Sequence, residues 1–256
     1  MSVEQSQIIA AKSSQKKWEP IYMIGFISTL LVIIGTLLDI VIGFTTGGDL
    51  SALPTNAIDR FTQFQGNWLL GLYNLDLLNL ITTVIMIPTY FALYAAHRRI
   101  GSEYVTLALI VFVIGAAVFI ANNTALPMLE LSKRYFAASN EAQKNLYAAA
   151  GEAMLASGTH GSPGAFPGFI LSSVASIVMS FGMLKSGIFS KMTAYLGISG
   201  GFLLLAYLIL VTFAGNVERI AMIVATPGGL LSLAWLILTA SGLFGLAHHR
   251  DNAQIS

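Results

Sequence analysis

No cysteine occurs among the 256 residues. Its absence excludes disulfides, thiolate metal sites, thiolate-held iron–sulfur clusters and cysteine nucleophiles. Charge is scarce as well. Asp, Glu, Lys and Arg make up 10% of the chain, against about 25% in soluble domains. The formal net charge is +1, and no basic patch with interleaved aromatics is present, so nucleic acid is not an expected partner. Chemical signatures are missing too: there is no GxSxG elbow, HExxH pair, Walker-type loop or dinucleotide fingerprint.

What the chain has in quantity is apolar sequence, 55% of its residues. A bilayer core needs about 20 apolar helical residues to cross. Six stretches qualify: 21–44, 68–96, 104–130, 166–185, 193–214 and 224–247. The expected fold is all-α, an integral membrane bundle of six transmembrane helices. Lys16 and Lys17 precede the first run as in a signal peptide. That run is too long for a signal h-region and no small-x-small site closes it, so it reads as a retained span. The expected layout is a polar cytoplasmic tail over 1–20, a membrane domain over 21–247 and a short cytoplasmic tail over 248–256. Pro88 and Pro127 lie inside spans two and three, where each removes a backbone donor and predicts a kink.

Orientation follows from Lys and Arg. With the N-terminus inside, the inner segments carry Lys12, Lys16, Lys17, Arg98, Arg99, Lys185, Lys191 and Arg250. The outer segments carry Arg60, Lys133, Arg134, Lys144 and Arg219. Eight against five, with the inner loops short, favours N-in and C-in.

The connection between spans three and four is the longest. Over 141–155, Glu141, Lys144, Asn145, Ala148 and Glu152 share one face at helical spacing, while Leu146, Tyr147, Ala150, Ala153 and Met154 fall opposite. An amphipathic surface helix is expected there, with Asn140 as N-cap and Gln143 as its capping-box partner. Glycines end that helix after Leu155 in "LASGTHGSPGAFPGF" (155–169), and Pro163 and Pro167 start the next span. Ser172, Ser176 and Ser180 form a small-residue stripe on span four, read as a packing face.

The segment "VMSFGMLKSGIFSKMTAYLGISGGFLLL" (178–205) resembles a group of bacterial multi-pass membrane proteins catalogued as a domain of unknown function. The acidic, asparagine-bearing second span is similar as well. The resemblance extends over residues 20–247 and implies a six-helix bacterial protein; the expected location is the cell inner (plasma) membrane. It implies no activity and no functional residues.

Ionisable groups inside spans are costly and point to function by default. Asp76 lies in span two, about 12 Å from Trp68 at 1.5 Å per residue, and shares a helical face with Asn79 and Thr83. Asp39 falls near the outer end of span one. Asn122 and Asn123 fall in the outer half of span three, and Asn123, Pro127 and Glu130 share a face. Asp39, Asp76, Asn79, Asn122, Asn123, Glu130 and His160 therefore gather at one level, the outer half of the bundle. They define a polar chamber lidded by the surface helix and the Gly-rich run.

Three roles for Asp76 stay open: interhelical glue, part of a site for a small molecule or ion, and a catalytic acid. The leading function is binding or transport of a small or lipophilic molecule through that chamber, with the lipid bilayer as surroundings. An outer-facing membrane enzyme using Asp76, Glu152 and His160, metal-assisted or otherwise, is the alternative; an accessory subunit is the third. No resident cofactor or metal is expected. His97, His248 and His249 end spans on the inner side, where histidines more often face headgroups than hold a metal or haem. Ser162 and His160, two residues apart in a flexible loop, need not face each other, and no GxSxG elbow frames a nucleophile–base pair.

Overall fold

The computed structural model describes residues 18–45, 53–100, 102–214 and 217–248. The described residues form ten helices and no strand. In chain order these are α1 (Glu19–Thr45), α2 (Ala57–Gly66), α3 (Trp68–Tyr73), α4 (Leu77–His97) and α5 (Ser102–Asn122). There follow α6 (Ala125–Ala137), α7 (Glu141–Gly158), α8 (Phe166–Ser186), α9 (Lys191–Phe213) and α10 (Glu218–His248). Six spans are long and apolar enough to cross a bilayer: α1, α4, α5 continued by α6, α8, α9 and α10. The tails expected over 1–20 and 248–256 lie outside the described residues, apart from 18–20 and His248.

The six long helices close a ring. α1 packs on α4, α4 on α5, α5 on α8, α8 on α9, α9 on α10, and α10 returns to α1. Small residues let these helices approach. A Cβ on Gly115 of α5 would sit 2.8 Å from Leu171 Cβ and 3.2 Å from Ser172 N of α8. A Cβ on Gly197 of α9 would overlap Ser180, which is fully buried. The serine stripe is thus a packing face at both ends. Outward, α1 exposes Ile24, Ile27, Leu31, Ile34, Leu38 and Val41, spaced alternately by three and four residues. That apolar stripe is one a bilayer would cover.

The short turn between α8 and α9 explains the segment that carries the family resemblance. Gly187 takes a left-handed backbone (φ 67) and returns its N–H to Met183 O. Three residues later the Ser190 side chain accepts from Thr193 N and caps α9. "KSGIFSK" is a helix stop followed at once by a helix start.

At the end of the ring where α1, α5 and α9 finish, four shorter helices make a cap. α2 contacts α3, α6 and α7, and α6 contacts α3 and α7. The cap has its own core of Ala57, Phe61, Phe64, Leu72, Leu75, Ala125, Met128 and Leu155. Gly151 lets α7 meet α2, since a Cβ there would lie 2.7 Å from Phe61 Cζ. Ser132 Oγ donates to Phe61 O at 3.0 Å. Asparagines start three of the cap and connecting helices: Asn56, Asn67 and Asn140 each accept from a backbone N–H three residues on.

Several expectations shift. The stretch 68–96 is two helices, with a break at Asn74–Asp76. Asp76 therefore sits at the head of α4, not about 12 Å along one continuous helix. The third span breaks at Asn123–Thr124, and Pro127 falls in the first turn of α6, where a missing N–H costs little. α7 exists with the expected Asn140 cap, and Ser139 N donates to Gln143 Oε1 at 3.2 Å. It runs three residues beyond Leu155, to Gly158. His97 does not face headgroups: it is fully buried, bonded through Nδ1 to Leu93 O at 2.7 Å and stacked on Phe189.

Candidate functional site at the seam between cap and bundle

The break between α3 and α4 is where polar side chains converge. Leu75 N and Asp76 N donate back to Leu72 O and Tyr73 O, closing a tight turn. Asp76 completes it in the left-handed region (φ 61, ψ 25), alone among the described non-glycine residues. A side chain there costs roughly 1–2 kcal/mol, least for Asp and Asn. The Leu75 carbonyl freed by the break accepts from Asn123 Nδ2 at 3.0 Å, while Asn123 Oδ1 takes Ala125 N. The two interrupted spans are therefore joined at their interruptions.

This turn aims the Asp76 carboxylate into the seam, 7% exposed. Oδ1 accepts from Asn79 Nδ2 at 2.7 Å, as the shared helical face predicts. Oδ2 lies 3.1 Å from His160 Nδ1. The other ring nitrogen, Nε2, lies 2.7 Å from the Tyr207 hydroxyl on α9. Carboxylate, imidazole and phenol form one chain from α4 through the α7–α8 connection to α9. Burial opposes charge on His160, but Asp76 beside it, the bond to that carboxylate and Tyr207 outweigh burial and push its pKa up to about 10. With the proton on, Nδ1–H donates to Asp76 and Nε2–H to the Tyr207 oxygen.

The Gly-rich run places His160 by close backbone contacts. Gly158 passes so near Asn122 O that a Cβ would overlap it. Asn122 Nδ2 in turn donates to Gly164 O at 3.2 Å. Gly161 is left-handed (φ 79), and Ser162 Oγ accepts from Ala165 N to start α8. Ser162 is thus occupied with the turn, and no nucleophile–base pair with His160 forms.

The sequence-derived candidates divide. Asp76, Asn79 and His160 are directly bonded. Asn122 and Asn123 hold the backbone around them. Asp39 is a neighbour: Tyr73 donates its hydroxyl to the Asp39 carbonyl at 3.1 Å. Burial, with Asp39 adding to it, raises the Tyr73 pKa, so that phenol keeps its proton. Glu130 is not brought in; it pairs with Arg134 at 2.8 Å, both more than half exposed. Glu152 is also elsewhere, accepting from Ala57 N at 2.7 Å and capping α2. The trio of Asp76, Glu152 and His160 considered for a metal is not assembled, and the described residues hold no group of three or more metal-ligating side chains.

Two contributors escape a reading of the sequence. Tyr207 is one aromatic among many in an apolar span. Arg60 looks like an ordinary loop cation, yet it lies on α2, only 2% exposed. Burial pulls its pKa down to about 10, with Asp76 acting the other way, so it remains charged at neutral pH. Arg60 and His160 both line a cavity of about 270 Å³ at the seam.

A family model described as a domain of unknown function (DUF4386) matches residues 22–238. The chain belongs to the DUF4386 family. The matched stretch reaches into all six spans and contains every residue of the cluster. The DUF4386 match thus bears out the resemblance of 178–205 to a multi-pass membrane family, and the six spans make lipid the protein's surroundings. No curated protein and no solved structure matches the chain.

Proposed function

We propose that the protein binds, and in doing so carries or senses, a small or lipophilic molecule in a polar chamber at the seam between cap and bundle. With the N-terminus inside, that seam lies in the outer half of the membrane, and α7 and the Gly-rich run form part of its lid. The observation that carries this reading is the Asp76–His160–Tyr207 chain beside a cavity. Three elements distant in sequence contribute one group each, and Asp76 does so from a backbone conformation that Asp rarely adopts. Local strain of that kind gathers at functional sites.

The same bonds tie α4 to α9. Were they glue alone, their loss would change stability and nothing else. Asp76→Asn keeps the tolerance for a left-handed backbone and removes the charge; His160→Gln keeps polarity and removes the imidazole. Thermal unfolding of purified protein, with and without a panel of small lipophilic compounds, separates the roles. Ligand-induced stabilisation in the natural chain that disappears in folded variants is the expected outcome. Folded variants with the full ligand response would refute the chamber.

A further inference from the structure

The chamber reading leaves the ligand's chemistry open, and one side chain narrows it. Arg60 is 2% exposed, yet its buried Nε–H has no acceptor among the described residues. Its one side-chain bond among the described residues runs from Nη1 to Gln63 Oε1 at 3.4 Å, long for such a bond. None of the salt bridges among the described residues involves it. An uncompensated buried guanidinium is expensive. Asp76 offsets that cost only in part, through space, and gives Arg60 no bond, because both carboxylate oxygens are engaged by Asn79 and His160.

The cavity wall is asymmetric in charge. Arg60 and His160 line it, and the carboxylates of Asp39 and Asp76 do not. Thr159 lines it too, and its buried hydroxyl likewise has no partner among the described residues. Leu155 and Val211 supply apolar wall. The volume, about 270 Å³, is near the lower limit of about 300 Å³ for small-molecule pockets.

Resting on the chamber reading, we propose that the ligand presents an oxyanion, a carboxylate or phosphate group, to Arg60 and Thr159, with its apolar portion against Leu155 and Val211. Arg60 has a planar fork of donors that matches such a group. His160 donates nothing to it, since both ring nitrogens are engaged and its charge is matched by Asp76; the unmatched cation of the wall is Arg60. The oxyanion could belong to a free small molecule or to a lipid headgroup reaching in from the bilayer.

The test uses the full chain in nanodiscs of phosphatidylcholine, read by thermal unfolding and by titration. The probes are hexanoate, inorganic phosphate and the neutral isostere hexanamide; a parallel set of discs contains phosphatidylglycerol. Saturable stabilisation by hexanoate or phosphate, absent with hexanamide, is expected for a free ligand. Stabilisation by phosphatidylglycerol discs alone would assign the group to a lipid. Arg60→Gln should weaken the anion by about ten- to a hundredfold, and Thr159→Val by less. If Arg60→Gln does not fold, the hexanoate–hexanamide contrast and Thr159→Val decide. Equal binding of hexanoate and hexanamide, undiminished anion binding in Arg60→Gln, or no response to any anion would overturn the proposal. Hexanamide binding that is lost in His160→Gln would overturn the oxyanion while leaving the chamber intact.

Discussion

The ring and the cap are both helical, but different forces hold them. The ring turns apolar side chains outward as well as inward, so burying them from water does not distinguish inside from outside. What brings its helices together is close fit: Gly115 against α8, Gly197 against Ser180, Tyr90 stacked on Phe112 at 3.9 Å. The cap buries a core of its own and carries charge on its surface, although Trp68, Leu69, Leu126 and Leu146 stay exposed there. Phe61, Phe64 and Met128 go inside; Asp59, Glu141 and Lys144 stay on the surface. The polar cluster of Asp76, His160 and Tyr207 lies where these regimes meet, at backbone breaks whose polar groups are satisfied from both sides.

That contrast can be broken at either end. The largest effect is expected in the cap. Phe61→Ala removes a fully buried ring and should cost the cap about 3–5 kcal/mol, seen as faster hydrogen exchange over α2, α6 and α7 with the ring still protected. Equal loss of protection in both regions would mean that they unfold as one. In the ring, adding bulk should hurt more than removing it. Gly115→Leu must push α5 from α8 and should cost about 1–3 kcal/mol, measured as a lower unfolding temperature in detergent.

The seam answers to pH. His160 has a folded pKa raised from 6.5 to about 10. Its contribution is complete below about pH 6.5, declines as the unfolded chain loses its proton first, and is gone above about pH 10. Unfolding temperature should therefore fall across that window, and His160→Gln should flatten the slope; a slope that persists in the variant would place the titration elsewhere. The smallest effect is expected at the start of α7, where Asn140→Ala removes a cap worth about 1 kcal/mol. Increased proteolysis in the segment before Glu141, with no change in the ring, would show it.

The ring was readable from hydropathy alone, because the bilayer imposes a length on each span. α7 is legible in its helical spacing and its Asn140 cap, but not in its faces: Leu146 and Ala153, expected on the apolar side, are exposed, and Gly151, Leu155 and Gly158 are what it buries. The break at Asn74–Asp76 was not, since Leu72, Leu75 and Leu77 keep the apolar pattern running through it; the signal lay in Asn67, Asn74 and Asp76 arriving within ten residues. The asparagines of span three were found for their polarity, but their bonds run to backbone exposed by a neighbouring break, which no single-helix projection displays. Arg60 reads as an outer charge in the sequence, and only the fold shows it buried, in one cavity wall with Leu155. Glu130 shared a face with Asn123 on a straight helix, and the interruption at Asn123–Thr124 turned that face away.

The closed ring also dictates an order of events. Contact between α1 and α10 joins parts of the chain about two hundred residues apart in numbering. Every neighbouring pair in the ring that does not involve α10 is available earlier during synthesis. Until the final helix enters the bilayer, α1 has one flank against α4 and the other against lipid. The last seam to form is therefore a temporary lateral opening, and a chain ending before α10 would keep it open permanently.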